Sequence, residues 1–365
     1  MKNAKAAVFV GSNKPFEIRK FEVTPPPKGY GQLELLASGI CGTDIHIHRG
    51  KLSARIPSII GHEFVGRLVD MDEQEGNQYG LKKGDNVIAD IAVPCGECLL
   101  CKNGDDANCV NMKVTNGGDI GVPPYLYGGY AEINYTPLTN LIRIPDELDP
   151  VMVCTFACPG PTAMHAFALA RKAGVDFSKI HSAVVQGLGP VGIFAILYLH
   201  TIGVETIYAI TAGDNRKREE QANKLGAAEV FNLSKTPAKQ ITERLQKENG
   251  GLGVDLVFEA SGAPSAVPQG MEILRNRGVY LIPGQYSNSG GIEIQPQMIT
   301  FKALHILGSS QYSISDVKAY LSFLCEHRDL HANILELGTK YKIEDVNRAI
   351  EEAKEGVNVK TMLVP

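Results

Sequence analysis

Residues 181–204 contain no Asp, Glu, Lys or Arg, and Gly187, Gly189, Pro190 and Gly192 interrupt them. An uncharged stretch of that length can cross a bilayer as a single helix. The glycines and the proline oppose that reading, because they break the run into a strand, a turn and a helix. A β-turn-α unit that is apolar on every face must be covered on both sides, as a central strand of a parallel sheet is. The residues that follow repeat the rhythm. Strands are predicted at 182–186, 206–211, 228–232, 254–259, 279–283 and 305–308, with amphipathic helices at 216–225 and 238–248. Strand and helix alternating at this spacing specify an α/β fold with a doubly wound parallel sheet.

In that context Gly187-Leu188-Gly189-Pro190-Val191-Gly192 reads as a dinucleotide fingerprint. The first glycine permits the tight turn, the second lets backbone approach a pyrophosphate, and the third allows close helix-strand packing. The helix N-terminus presents unpaired N–H groups to the phosphates. The acid that grips the adenine ribose is expected about 20 residues on. Here the second strand runs out into Gly213-Asp214-Asn215-Arg216-Lys217-Arg218. Gly213 leaves room for a 2′-phosphate, with Arg216 or Arg218 to pair with it, whereas Asp214 can hold a 2′-hydroxyl. The same basic residues equally suit a solvated helix start, and the balance favours NADP only slightly over NAD.

The first 150 residues differ in texture. Short strands are predicted at 32–40, 64–69, 86–91 and 130–134, separated by turns, which suggests a compact β-rich domain. Inside it stands C-x2-C-x2-C-x7-C, formed by Cys95, Cys98, Cys101 and Cys109, half of the chain's eight cysteines. Disulfides one turn apart are awkward, whereas four thiolates can close a tetrahedron around one Zn2+. Iron–sulfur runs share the first two gaps, but their third gap is shorter and is followed by proline. The third gap here is seven residues, followed by Val110. The N-terminal apolar stretch is too short for an export signal, so a cytoplasmic location with metal-bound or free cysteines is expected.

Three further segments offer ligand chemistry: Cys41-Gly42-Thr43-Asp44-Ile45-His46, Gly61-His62-Glu63, and Cys158 in Cys154-Thr-Phe-Ala-Cys158-Pro159. Two Cys and one His from different loops make a catalytic-type metal site, with three protein ligands and one open position. Composition is that of a soluble globular protein, 44% hydrophobic and 21% charged over 365 residues, long enough for two domains. A net charge of −4 gives no basic face for nucleic acid or an anionic membrane.

Taken together these motifs resemble the zinc-dependent alcohol and polyol dehydrogenases of the medium-chain dehydrogenase/reductase superfamily, over essentially the whole chain. The resemblance implies a GroES-like catalytic domain over 1–160, a Rossmann domain over 161–304 and a return to the catalytic domain over 305–365. It implies Cys41, His62 and Cys158 as ligands of a catalytic zinc with Glu63 nearby, and the four clustered cysteines as ligands of a structural zinc. It places Thr43 on the substrate oxygen, His46 in the proton relay and Lys360 on the cofactor pyrophosphate. The implied activity is hydride transfer between a small alcohol, polyol or sugar and NAD(P), in a homodimer or homotetramer.

Two departures qualify the resemblance. Cys158 stands where the polyol branch has Glu, although the following Pro159 and His165-Ala166 match that branch. Gly213 replaces the acid typical of NAD users. Two rival readings differ in their use of these motifs. A zinc-scaffolded binding protein has no use for the glycine fingerprint, and a zinc-free reductase of activated double bonds lacks both cysteine sets. Cys154 and Cys325 read as buried thiols, His48 as a surface or loop histidine, His165 as a packing residue and Glu132 as structural.

Overall fold

The computed structural model describes residues 2–213, 215–285 and 287–365, so the expectation for Asp214 lies outside the described residues. The chain divides into two compact units, 1–161 with 311–365, and 162–310. The first unit opens with strands β1 (Asn3–Val8), β2 (Glu17–Glu22), β3 (Tyr30–Ile40), β4 (Glu63–Asp70), β5 (Asn86–Ala89), the short β6 (Ala92–Val93) and β7 (Lys113–Val114), β8 (Ile133–Pro137) and β9 (Leu141–Arg143). The second carries β10 (Ser182–Gln186), β11 (Thr206–Thr211), β12 (Glu229–Asn232), β13 (Val254–Glu259), β14 (Leu274–Ile282) and β15 (His305–Gly308). The chain then returns to the first unit with β16 (Gly338–Lys342) and β17 (Lys360–Val364).

In the first unit β1 pairs with β2, β6 pairs with β7, and a larger sheet runs β16-β17-β3-β4-β5-β9 with β8 added on β3. Along β3 the apolar Leu33, Leu35 and Ala37 are buried and alternate with more exposed neighbours, as a half-buried strand requires. Its last four residues are all buried, because β17 and β4 flank them there. This strand delivers Cys41 to the site. The strand expected at 130–134 lies further on, at Ile133–Pro137. Tyr130 and Ala131 turn back instead to β1, where the Ala7 N–H donates to the Tyr130 carbonyl at 2.8 Å.

The second unit is a six-stranded sheet in the order β12-β11-β10-β13-β14-β15, parallel throughout. The uncharged run becomes β10 and the helix Pro190–Thr201, which is buried from Gly192 to Leu199. A helix apolar all round belongs between layers, so its composition reflects burial in protein. No helix among the described residues is long and apolar enough to cross a membrane. One face of the sheet packs Val184, Ile210, Phe231, Val257 and Tyr280 against Ile241, Leu245 and Met271 from the helices.

The compact units divide after Ser310, past the boundary expected after 304. The reason is β15, whose His305 stands opposite Val279 of β14 as the edge of the parallel sheet. His48, expected at the surface or in a loop, is corrected. It is 4% exposed, with Nε2 3.0 Å from the Lys14 carbonyl oxygen and its ring stacked on Phe16 at 5.6 Å.

Candidate active site

Cys41 leaves β3 and caps the helix Gly42–His48. The Asp44 carboxylate closes that turn by accepting from the Cys41 N–H at 2.9 Å. Its other oxygen lies 3.4 Å from His62 Nδ1. The sequence reading gave Asp44 no role. A buried carboxylate on one imidazole nitrogen fixes the ring and leaves the second nitrogen free to bind a metal. The signal available for it was the i to i+3 spacing of a capping box.

Ligand-type atoms of Cys41, His62, Glu63 and Cys158 all lie within 4.8 Å of one another. The thiols of Cys41 and Cys158 are 3.9 Å apart, too far for a disulfide and close to the edge of a tetrahedron with Zn–S bonds of about 2.3 Å. Their contact pulls the Cys41 thiol well down and, with burial, pushes Cys158 well up. The pair therefore keeps one proton, and a second thiolate there needs a cation. Burial alone would lower His62, but Asp44 and Cys41 outweigh it and raise it. Burial pushes Glu63 up to about 7 against the opposing pull of Lys360. One Glu63 oxygen is paired with Lys360 Nζ, and the other, Oε1, is buried without a hydrogen-bond partner. A donor set of this kind fits zinc.

The resemblance implied a pyrophosphate contact for Lys360. The structure buries this side chain completely and turns its ammonium onto Glu63. Cys154 is a buried thiol that donates to the Glu63 carbonyl at 3.4 Å, and burial pushes it up to about 12. Glu132 accepts the Lys5 N–H at 2.7 Å, tying β1 to the residue that precedes β8.

The cysteine lobe forms a second cluster. Sγ separations are 4.0 Å for Cys95–Cys101, 3.5 Å for Cys98–Cys101 and 4.0 Å for Cys98–Cys109. A tetrahedral ZnS4 unit has edges of roughly 3.8 Å, so no large rearrangement is required. The Glu97 and Cys98 N–H groups hold Cys95 down to about 6, whereas desolvation and Cys98 push Cys101 up to about 12. All four are free thiols. An uneven set of protonation states is what a cation would level.

In the second unit Gly187 has φ +97°, and a β-carbon there would stand 2.7 Å from the Ser261 backbone. A β-carbon on Gly192 would overlap the Gly187 carbonyl oxygen. Gly189 caps the helix ahead of Pro190, and nothing lies within 4 Å of where its β-carbon would be. The turn is therefore tight behind and open in front, toward the side where a phosphate would approach. Gly192→Val is expected to weaken NAD(P) binding about a hundredfold or more, read by titration calorimetry, with zinc content unchanged. Unaltered affinity would mean the loop is no phosphate cradle. Gly213 also faces open space. Arg216 is exposed with Glu220 at 3.3 Å, and Arg218 is half-buried, which lowers its pKa.

Comparison with known proteins agrees with this geometry. Residues 29–146 match the family model of the alcohol dehydrogenase GroES-like domain, and residues 190–326 that of the zinc-binding dehydrogenase domain. The chain is 28% identical over 369 residues to 5-exo-hydroxycamphor dehydrogenase of Pseudomonas putida, covering 100% of this chain and 99% of that one. It is 32% identical over 280 residues to L-threonine 3-dehydrogenase of Caldanaerobacter subterraneus, covering 76% and 74%. Among solved structures it is similar to an alcohol dehydrogenase from Thermotoga maritima, with TM-score 0.89 and 26% identity over 100% of both chains. Two metal-type clusters and a strand-glycine-helix nucleotide loop, in a chain that matches both family models, identify it as a member of the zinc-dependent alcohol and polyol dehydrogenases of the medium-chain dehydrogenase/reductase superfamily.

Proposed function

We propose that this chain moves a hydride between a secondary hydroxyl carbon of a small alcohol, polyol or sugar and NAD(P), giving the ketone or lactone, with NADP the better dinucleotide. The observation that carries this reading is the convergence of Cys41, His62, Glu63 and Cys158 within 4.8 Å, in a chain that also has a complete nucleotide fingerprint. Cys41, His62 and Cys158 hold the catalytic ion, and Cys95, Cys98, Cys101 and Cys109 the structural one. The catalytic zinc supplies a Lewis acid with an open position. The two relatives support a secondary carbon, since one is named for a hydroxycamphor and the other for position 3 of L-threonine.

Thr43 supplies the first proton acceptor. Its hydroxyl lies 3.8 Å from the Cys41 sulfur, at the rim of the cluster. A hydroxyl can take a proton from substrate only as it gives its own away. His46 stands three residues on in the same helix, on the same face, and receives it. Burial, then the charges of Lys51 and Arg49, lower the His46 pKa, so at neutral pH its imidazole is neutral and able to accept. Gly213, Arg216 and Arg218 support the preference for NADP. The same reading includes assembly as a homodimer or homotetramer and a cytoplasmic location.

The test is a dehydrogenase screen on purified protein with zinc measured on the same sample. Primary alcohols, secondary alcohols, polyols and aldoses are each tried with NAD and NADP. We expect two zinc ions per chain, one for each cluster, and turnover on a secondary alcohol, polyol or sugar. Metal in the lobe alone with no turnover on any alcohol would overturn the reading. Thr43→Ala is expected to lower turnover about a hundredfold with zinc content unchanged, the size of a lost proton-transfer group. Loss of zinc in that variant would make Thr43 structural instead.

A further inference from the structure

The strand ends beside the ribose-recognition turn carry a side-chain clamp that neither metal cluster uses. Asn232 is the last residue of β12, opposite Thr211 at the end of β11, and is 6% exposed. Its amide nitrogen donates to the Gly213 carbonyl at 3.1 Å and to Glu219 Oε1 at 2.7 Å. Its amide oxygen accepts from the Ser234 N–H at 2.9 Å and the Ser234 hydroxyl at 2.7 Å. An Asn side chain has two N–H donors and two acceptor lone pairs, so its capacity is filled within the protein.

Glu219 makes this clamp consequential. It lies in the first turn of the helix Arg216–Lys224, among Arg216, Lys217 and Arg218. A carboxylate released there can accept a hydrogen bond from a ribose 2′-hydroxyl, the part an acid plays in NAD recognition. It would also repel a 2′-phosphate, which carries about two negative charges. Bound to Asn232, that carboxylate is committed to the strand end, and the same amide pins the Gly213 carbonyl.

We propose that Asn232 is a specificity-determining positioning residue, which favours NADP over NAD by holding the Glu219 carboxylate and the Gly213 turn clear of the ribose 2′ position. This rests on the reading that NADP is the preferred dinucleotide. Asn232 acts through Glu219 and does not touch the cofactor.

The experiment compares kcat/KM for NADP and NAD in the full-length, zinc-loaded enzyme. Asn232→Asp keeps the side-chain shape but removes both donors and sets a second carboxylate against Glu219. We expect its NADP/NAD ratio to fall about tenfold or more, through the KM for NADP, with kcat retained. Asn232→Ser removes the donors without adding charge and shifts the ratio in the same direction by a smaller factor. Adding Glu219→Gln to Asn232→Asp restores the ratio, because an amide can donate to the new carboxylate. Glu219→Gln alone keeps the wild-type preference for NADP. A purely structural Asn232 would lower kcat/KM for both dinucleotides equally, and that result, or failure of the double variant to restore the ratio, would overturn the proposal. A wild-type enzyme that uses NAD as well as NADP would instead overturn the underlying NADP reading, and the proposal with it.

Discussion

Cys158→Ser is expected to abolish turnover and to lower the zinc content of the purified protein from two ions per chain to one. Cys41→Ser and His62→Ala should behave alike, with dinucleotide binding still measurable by titration calorimetry. Three protein ligands give a catalytic site little redundancy. Here Cys41, His62 and Cys158 come from three separate stretches of chain whose ligand atoms lie within 4.8 Å. A serine hydroxyl in place of either sulfur stays protonated where a thiolate is required, so the substitution removes a charge as well as an atom. The nucleotide loop belongs to the other compact unit, built on its own parallel sheet, and should fold unaltered. Cys95→Ser serves as the control. It should lose the other ion and lower the melting temperature through the lobe. Near-normal activity in Cys158→Ser, or retention of both ions, would remove Cys158 from the catalytic site.

Much of this was legible in the sequence, for reasons of range. The bounds of β10, β11, β13 and the helix Ala238–Glu248 follow from hydrophobic period and turn residues, which are local signals. The cysteine lobe is local too, since all four ligands lie within fifteen residues. His48 was misjudged because its cover comes from Phe16 and Lys14, which its own neighbours do not announce. The boundary after 304 came with the resemblance, whereas the strand at 305–308 continues the strand-helix rhythm and joins β14. The contact between Lys360 and Glu63 was the least legible of all. The two are 297 residues apart, and only the pairing of β17 and β4 on either side of β3 brings them together.

That pairing leads to the second large effect. Lys360→Met is expected to cost about 3–5 kcal/mol of unfolding free energy, because it leaves the Glu63 carboxylate buried without its counter-charge. Both side chains have no exposed surface. They meet across Gly39 of β3, where a β-carbon would overlap the Glu63 carboxylate and stand 2.8 Å from Lys360 Cε. The Lys360 ammonium is also 3.5 Å from the Ile40 carbonyl oxygen, so it is held on the residue that precedes Cys41. Removing only the cation forces Glu63, already raised to about 7, either to keep its charge without that partner or to take up a proton, and either costs stability. Glu63→Gln in the same background removes that charge and should recover most of the loss, which a simple packing defect at Lys360 would not allow. Denaturant unfolding of the zinc-loaded single and double variants reads the effect. If Lys360→Met kept wild-type stability and weakened dinucleotide binding instead, its ammonium would belong on the cofactor pyrophosphate.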